Sequence, residues 1–149
     1  MEGMNGVKLT STLAFRLGTL GAVMTERFSA RLAAHGLKPK HVGLLALLES
    51  GTATSQLDIA KLMNVAPSLV VSLADRLEEL GAVRRERDPM DRRRQTLALT
   101  EEGRELLATC TAAAAELDTE LTDGLSPEET EALRIVLGTL ARRNGLPAD

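Results

Sequence analysis

Apolar residues recur at helical spacing through most of the chain. Over residues 8–35 they fall three or four positions apart, which predicts one long helix that ends at Gly36. Residues 39–50 predict a second helix, with Pro39 in its first turn and Gly51 at its end. The apolar face of the first helix is long for its polarity, so we expect a second chain to cover part of it.

Two short helices follow, joined by a tight turn. Residues 54–65 predict the first of them, with Ser55 and Asp58 as a capping pair and Asn64 as a left-handed stop. Residues 66–81 predict the second, which Gly81 closes. Its buried stripe is expected to consist of Val70, Leu73, Leu77 and Leu80. This arrangement is typical of a helix-turn-helix.

The period changes after residue 81. The segment AVRRER predicts a strand, DPMD a turn, and QTLALT a second strand with Leu97 and Leu99 on one face. Residues 84–94 contain six arginines and three acids, so this hairpin is strongly basic. A long helix is expected from Thr100, and the last helix starts at Ser126 with Pro127 and Glu129 as a capping box. The predicted fold class is therefore mainly α with a small β-hairpin wing (α+β).

Charge is distributed unevenly along a chain whose net charge is −3. Residues 38–97 carry ten bases and eight acids, whereas residues 98–149 carry four bases and eleven acids. An anionic ligand is therefore expected to approach the middle of the chain. The only aromatic residues are Phe15 and Phe28, which argues against a base-stacking surface for single-stranded nucleic acid.

Cysteine use and hydropathy indicate the cellular compartment. Cys110 is the only cysteine, so it has no disulfide partner within the chain and fits a reducing cytosol. No apolar run reaches the roughly 20 residues that cross a bilayer, and the N-terminus lacks the regions of a signal peptide. We expect a cytoplasmic protein with no membrane partner.

Two segments carry a family resemblance. RDPMDRRRQTLALTEEG, residues 87–103, and LADRLEELGAV, residues 73–83, resemble the wing signature and the end of the recognition helix of the multiple antibiotic resistance regulator (MarR) family. The helix order agrees along nearly the whole chain. The resemblance implies one domain over residues 1–149, with a winged helix-turn-helix at 38–100 and dimerisation helices at 8–35 and 101–145. It also implies a homodimer that binds a pseudo-palindromic operator in double-stranded DNA.

The arginines of the wing are the first candidates for DNA contact. Arginine is always charged and weakly hydrated, which suits a narrow minor groove. In the family pattern, Asp91 pairs with Arg93 and aims its guanidinium. We expect Arg93 to enter the groove and Arg92 or Arg94 to contact phosphate. The alternative is an ordinary solvated hairpin, which the helix-turn-helix directly upstream disfavours.

The predicted recognition helix has an unusual reading face. Its candidates for DNA contact lie off the buried stripe: Pro67, Ser68, Leu69, Val71, Ser72 and Arg76. Relatives often carry Thr and Arg where this chain has Val71 and Ser72, so a bidentate arginine–guanine contact is missing there. We expect Leu69 and Val71 to contact thymine methyls and the serines to make weaker bonds. The alternative for Val71 is packing against a neighbouring helix.

Further candidates are weaker. Candidates for phosphate contacts near helix starts are Lys38, Lys40, Ser55 and Gln56, although each is better explained as a plain surface or capping residue. The resemblance places an effector pocket, for a small aromatic or phenolic compound, near Phe15, Met24, His41 and Leu45. His41 is better explained as a surface or helix-start residue, and Cys110 as a core residue. Two histidines and one cysteine predict no metal site and no cofactor.

The sequence disfavours two other classes of protein. An enzyme lacks support because the sequence offers no phosphate-binding glycine motif and no plausible nucleophile–base pair. A winged-helix adaptor for other proteins has no use for Arg92, Arg93 and Arg94 together. We expect a repressor, the commoner outcome in the family, although the sequence alone does not separate repressor from activator or identify an effector.

Overall fold

The computed structural model describes residues 6–148. Their main elements, in chain order, are α1 (Leu13–Leu32), α2 (Pro39–Ser50), α3 (Gln56–Met63), α4 (Pro67–Glu79), β1 (Val83–Arg87), β2 (Gln95–Leu99), α5 (Glu101–Leu121) and α6 (Pro127–Arg143). This order confirms the predicted fold class. The described residues form two compact units, divided after Ala114 within α5.

The first predicted helix is interrupted at both ends. A 3₁₀ turn, Leu9–Ser11, precedes an extended Thr12, whose hydroxyl accepts a hydrogen bond from the Phe15 N–H (3.3 Å) and so caps α1. The prediction that one helix runs from residue 8 is therefore wrong at its start. Its end at Gly36 is confirmed, because this residue has a left-handed φ of 68° after a second 3₁₀ turn, Ala33–His35.

The helix-turn-helix forms as the caps predict. The Ser55 hydroxyl accepts from the Asp58 N–H (3.1 Å), and Asn64 adopts the left-handed conformation with φ 54°. In α4, Val70, Leu73 and Leu77 are buried as predicted, together with Ala74. Leu80 is an exception: it lies beyond the last turn of α4 and is 38% exposed.

The core of the first unit joins the helix-turn-helix, the hairpin and the start of α5. Its fully buried side chains include Leu32, Leu44, Leu45, Ile59, Val70, Leu77, Leu97 and Cys110. The hairpin is antiparallel, with Val83 opposite Leu99, and the Leu97 N–H donates to the Thr54 carbonyl (2.8 Å). This bond fixes the wing to the segment before α3.

Gly103 explains part of the motif that follows the wing. The Thr100 N–H donates to the Ala82 carbonyl (3.1 Å), and the Thr100 hydroxyl accepts from the Gly103 N–H (3.0 Å). A Cβ on Gly103 would overlap the same Ala82 carbonyl oxygen. The Thr-x-x-Gly spacing therefore allows α5 to start directly against the residue that precedes β1.

The second unit contains the end of α5 and α6. The predicted capping box is confirmed, since the Ser126 N–H donates to Glu129 Oε1 (3.0 Å) and the Ser126 hydroxyl accepts from the Glu129 N–H (3.1 Å). Hydrogen bonding to the carboxylate, first from the Ser126 backbone and then from the Ser126 side chain, lowers the pKa of Glu129. No single helix within residues 6–148 is long and apolar enough to cross a bilayer; α3 and α4 satisfy that test only as a pair bent by 112°.

Candidate nucleic-acid interface

Helix α4 presents the predicted reading face on its outer side. Pro67, Ser68, Val71 and Ser72 are exposed, because the buried stripe turns the opposite side of the helix to the core. Val71 is 41% exposed, so part of its side chain is available at this surface. Leu69 differs from the expectation for a DNA contact: it is half-buried and packs against the core.

A hollow of about 210 Å³ brings α3, α4 and the wing together. It is lined by Ser55, Gln56, Leu57, Pro67, Val71, Arg93, Arg94 and Gln95. Six of these eight residues were candidates for DNA contact. Gln95 and Leu57 were not predicted to lie here. Leu57 is 52% exposed, and an apolar residue off the core stripe is the same signal that indicated Val71.

The tip of the wing is a compact turn. The Asp88 N–H donates to the Arg94 carbonyl (3.0 Å), and the Arg94 N–H donates to the Asp91 carbonyl (3.0 Å). Asp91 Oδ1 accepts from the backbone N–H of Arg93 (3.0 Å). Among the described residues no ion pair joins Asp91 to the Arg93 guanidinium, so that part of the expectation stays a prediction, and the contact seen here is the one to the Arg93 backbone. The side chains of Arg92 and Arg93 remain exposed.

Arg94 turns back towards α3. Its Nη2 lies 3.2 Å from Asp58 Oδ2 and 3.2 Å from the Ser55 hydroxyl. Ser55 is itself 5% exposed and caps α3. Of the two residues predicted to contact phosphate from the wing, Arg94 is thus engaged within the protein, and Arg92 is the exposed one.

Arg85 joins the wing to both helices, a role that the sequence analysis missed. Its Nη2 lies 2.6 Å from Asp75 Oδ1 and 3.1 Å from the Val71 carbonyl, and its Nη1 lies 3.2 Å from Glu78 Oε1. Its Nε donates to Gln56 Oε1 (3.4 Å). Gln56, which was predicted to contact phosphate, therefore has a partner within the protein. Strand alternation gave a signal, since Arg85 shares a strand face with the buried Val83.

Arg76 lies away from the hollow, contrary to its grouping with the reading face. Its Nε donates to the Gly36 carbonyl (3.3 Å), and its Nη1 pairs with Glu79 (3.2 Å). It borders an open cleft of about 660 Å³ at the start of α2, together with Lys38 and His41. Lys38 and Lys40 are exposed there.

His41 lies at the start of a helix, which was one of the two explanations predicted for it. It is not on the surface, which was the other. Its Nδ1 accepts from the Lys38 backbone N–H (2.9 Å), and the residue is 8% exposed. Burial lowers the pKa of the imidazole, and the charges of Lys38 and Arg76 lower it further. The neutral ring is therefore favoured.

Of the four predicted effector-pocket residues, only His41 lines the cleft at the start of α2. Leu45 is fully buried in the core, whereas Phe15 is 37% exposed on α1. The walls of the cleft at His41 include neither of these residues, nor Met24. Cys110 is buried as predicted, and burial raises the pKa of its thiol. Among residues 6–148, no three His, Cys, Asp or Glu side chains are arranged to hold a metal ion.

A helix-turn-helix with a basic hairpin packed against its second helix defines a winged helix-turn-helix protein. The MarR family model matches residues 35–94. A putative transcriptional regulatory protein for the hcr operon of Thauera aromatica is 32% identical over 109 residues, which cover 73% of this chain and 66% of that protein. The chain thus spans about two thirds of that relative.

Solved structures agree with this result. The transcriptional repressor CouR, bound to a 23-mer DNA duplex, is 30% identical with a TM-score of 0.75, over 89% of this chain and 94% of that one. CouR from Rhodococcus jostii RHA1 bound to p-coumaroyl-CoA is 26% identical with a TM-score of 0.72, over the same shares of the two chains. The chain belongs to the MarR family of transcriptional regulators.

Proposed function

We propose that the protein regulates transcription as a homodimer that binds double-stranded DNA, with α4 in the major groove and the wing in the minor groove. The observation that carries this proposal is the hollow shared by Val71 and Arg93. Through it, the reading face of α4 and the tip of the wing lie on one side of the molecule. The winged helix-turn-helix of residues 38–100 is the DNA-binding part in this proposal.

At the tip of the wing, the guanidinium groups of Arg92 and Arg93 are exposed, and no bond joins them to another of the described residues. Arg93 enters the minor groove in this proposal, where a guanidinium responds to groove width and so reads DNA shape. Arg92 contacts phosphate in preference to Arg94, because Arg94 pairs with Asp58. Lys38 and Lys40 at the start of α2 remain candidates for phosphate contacts.

The reading face of α4 suits modest base readout. Val71 offers methyl groups to thymine, and Ser68 and Ser72 offer hydroxyls to bases or phosphate. Footprinting of a Val71→Ala variant tests this part, and an unchanged base preference at every operator position would remove Val71 from it. Much of the specificity then comes from DNA shape.

A homodimer is supported by apolar side chains exposed on each of two helices. On α1, Leu13, Leu17 and Leu20 are 76%, 50% and 52% exposed. On α6, Ile135 and Val136 are 58% and 53% exposed, with Leu137 and Leu140 beside them in sequence. Large apolar patches on a chain commonly mark protein interfaces. We propose that a second copy of the chain covers both faces, as the resemblance implies.

Regulation is proposed by analogy. CouR is described as a repressor and has been solved with p-coumaroyl-CoA, which contains an aromatic ring. We expect this chain to repress as well and to release DNA when a small aromatic compound binds, which requires that the compound binds the free state more tightly. Neither an enzymatic activity nor a cofactor is part of this proposal.

Selection of bound duplexes from a random DNA pool tests the proposal. We expect a symmetric motif with half-sites about 10 base pairs apart, and a dimer by light scattering. The selected duplex is then used in mobility-shift assays with Arg93→Ala and, as a charge-matched control, Arg104→Ala on α5. A stable monomer that selects no motif would overturn the proposal. A winged-helix adaptor that binds only another protein would also select no DNA motif.

A further inference from the structure

The hollow beneath the wing has two chemically different sides. The residues that the wing contributes to it are polar or basic: Arg93, Arg94 and Gln95. Three of the residues that α3 and α4 contribute are apolar: Leu57, Pro67 and Val71. Among the described residues, no carboxylate lines the hollow. A chain that alternates negative charges with apolar groups therefore matches both sides, and the sugar–phosphate backbone of DNA is such a chain.

The position of the hollow also suits one strand of a duplex. A sugar–phosphate strand lies between the major and the minor groove of DNA. With α4 in one groove and the tip of the wing in the next, that strand passes between these two elements. The hollow lies between them, because Val71 of α4 and Arg93 of the wing both form its walls.

Leu57 is the apolar residue of the hollow that has no role in the proposed function. It is 52% exposed, whereas Ile59 and Ala60 of the same helix are buried in the core. One exposed leucine is ordinary on a protein surface. Here, however, it continues the apolar wall of Pro67 and Val71 inside the surface that faces DNA.

The polar groups nearest to this wall already have partners. The Ser55 hydroxyl accepts from the Asp58 N–H (3.1 Å) and bonds to Arg94 Nη2 (3.2 Å). Gln56 Oε1 accepts from Arg85 Nε (3.4 Å). A hydroxyl group brought against the wall would therefore lose water and meet carbon atoms.

We propose, on the basis of the proposed function, that the hollow holds one deoxyribose of the strand and selects it against ribose. The apolar wall packs on the C–H groups of the sugar, and the basic side faces its flanking phosphates. A 2′-hydroxyl is the group by which a protein distinguishes RNA from DNA at a given site, and burying it without a partner is unfavourable. Leu57 is then a specificity residue for the sugar and not for the base.

Ribonucleotide scanning of the selected duplex tests this inference. One nucleotide at a time, at the same position of both half-sites, is replaced by its ribose form, with 5-methyluridine at thymine positions so that the base is unchanged. Fluorescence anisotropy with the full chain measures the affinity. We expect a loss of at least about fivefold at one position or two adjacent positions, and of less than about twofold elsewhere.

Two leucines of α3 give a matched pair of variants. Leu57→Ser offers the 2′-hydroxyl a partner, so the loss at the sensitive position should fall below about twofold. Leu62→Ser is the control, because Leu62 is 48% exposed on the same helix and does not line the hollow. Its loss should equal that of the parent chain. Both side chains are exposed, so we expect both variants to fold.

A 2′-fluoro nucleotide separates the hydroxyl from the shape of the sugar, because it favours the same pucker as ribose and has no hydroxyl. At the sensitive position it should weaken binding by less than about twofold. A loss equal to that of ribose would show that pucker is responsible and would overturn the inference.

The unmodified duplex separates the two levels of failure. If it binds, and either no position is sensitive to ribose or Leu57→Ser leaves the loss unchanged, the inference is wrong and the proposed function stands. If the unmodified duplex does not bind at all, the proposed function fails, and the inference fails with it.

Discussion

The base and the tip of the wing contain the same kind of residue in opposite situations. At the base, Arg85 contacts Asp75, Glu78 and the Val71 carbonyl and is 19% exposed. At the tip, Arg92 and Arg93 are exposed, and the hydrogen bond from Arg93 to Asp91 involves only its backbone.

This difference shows that the number of arginines in a segment does not measure the charge available to DNA. An arginine with two carboxylate partners neutralises their charge and holds two elements together. An arginine without such partners adds positive charge at the surface and can contact DNA directly. Asp75 and Glu78 lie on the recognition helix, where unpaired carboxylates would repel phosphate. Arg85 therefore acts on DNA binding through the helix, and the tip acts on it directly.

Removing the tip should have the largest effect. We expect the double variant Arg92→Ala/Arg93→Ala to lose about 100-fold in affinity for the selected duplex, since a hydrogen bond that involves a charged group is worth about 1.5–3 kcal/mol. Fluorescence anisotropy at several salt concentrations measures this, and the salt slope should fall by about one for the phosphate contact. Urea unfolding should give an unchanged midpoint, because neither guanidinium has an internal partner among the bonds described above. A loss of less than threefold would contradict the role of the tip.

Arg85→Ala should weaken DNA binding less, by about tenfold, and should also lower stability. Its carboxylate partners are exposed, so we expect only about 1 kcal/mol in the free energy of unfolding. Addition of Asp75→Asn to Arg85→Ala should restore part of the affinity, because one repelling carboxylate is then gone. If the double variant binds no better than Arg85→Ala, neutralisation is not the role of Arg85, and the ion pairs only hold the wing in place.

The sequence predicts the elements of this fold well because their signals are local. The caps at Ser55 and Ser126 and the left-handed stop at Asn64 each depend on residues within a few positions. The start of the first helix was missed because Thr12 competes as a cap inside an apolar pattern that continues through it. Leu80 was missed because periodicity does not show where a helix stops contacting the core.

The sequence predicted which segments form the candidate site, but it did not predict which residues contact one another there. Sequence reasoning located the hairpin and the reading face, yet the partners of Arg76, Arg85 and Arg94 lie 40, 10 and 36 residues away at Gly36, Asp75 and Asp58. Contacts at such separations depend on how the elements pack, which no local pattern encodes. The alternation in β1 indicates only that Arg85 faces inwards.

The pair between Arg94 and Asp58 should matter less than the contacts of Arg85. Both side chains are partly exposed, at 39% and 49%, so the pair contributes little to stability. We expect Asp58→Asn to change DNA affinity by less than about threefold, because Arg94 keeps its bond to the Ser55 hydroxyl. The same anisotropy titration measures this. A tenfold loss would show that the pair between Arg94 and Asp58 positions the wing for binding.

The smallest expected effect is a pH dependence of stability, which should come from the cleft at His41 and not from the wing. Arginines do not titrate in the working range of pH, whereas histidine does. Burial and the charges of Lys38 and Arg76 lower the pKa of His41 in the folded chain below about 6.5, its value in unfolded chains. The unfolded state therefore binds the proton more readily, and stability is full above that value and declines as the pH falls through the folded pKa.

Urea unfolding between pH 7.5 and 5 (roughly the range in which histidine titrates) should show this decline. His41→Asn should reduce the slope, whereas His35→Asn should leave it unchanged. Equal slopes in His41→Asn and the parent chain would show that His41 is not responsible, and the pH response would then not distinguish the cleft from the wing.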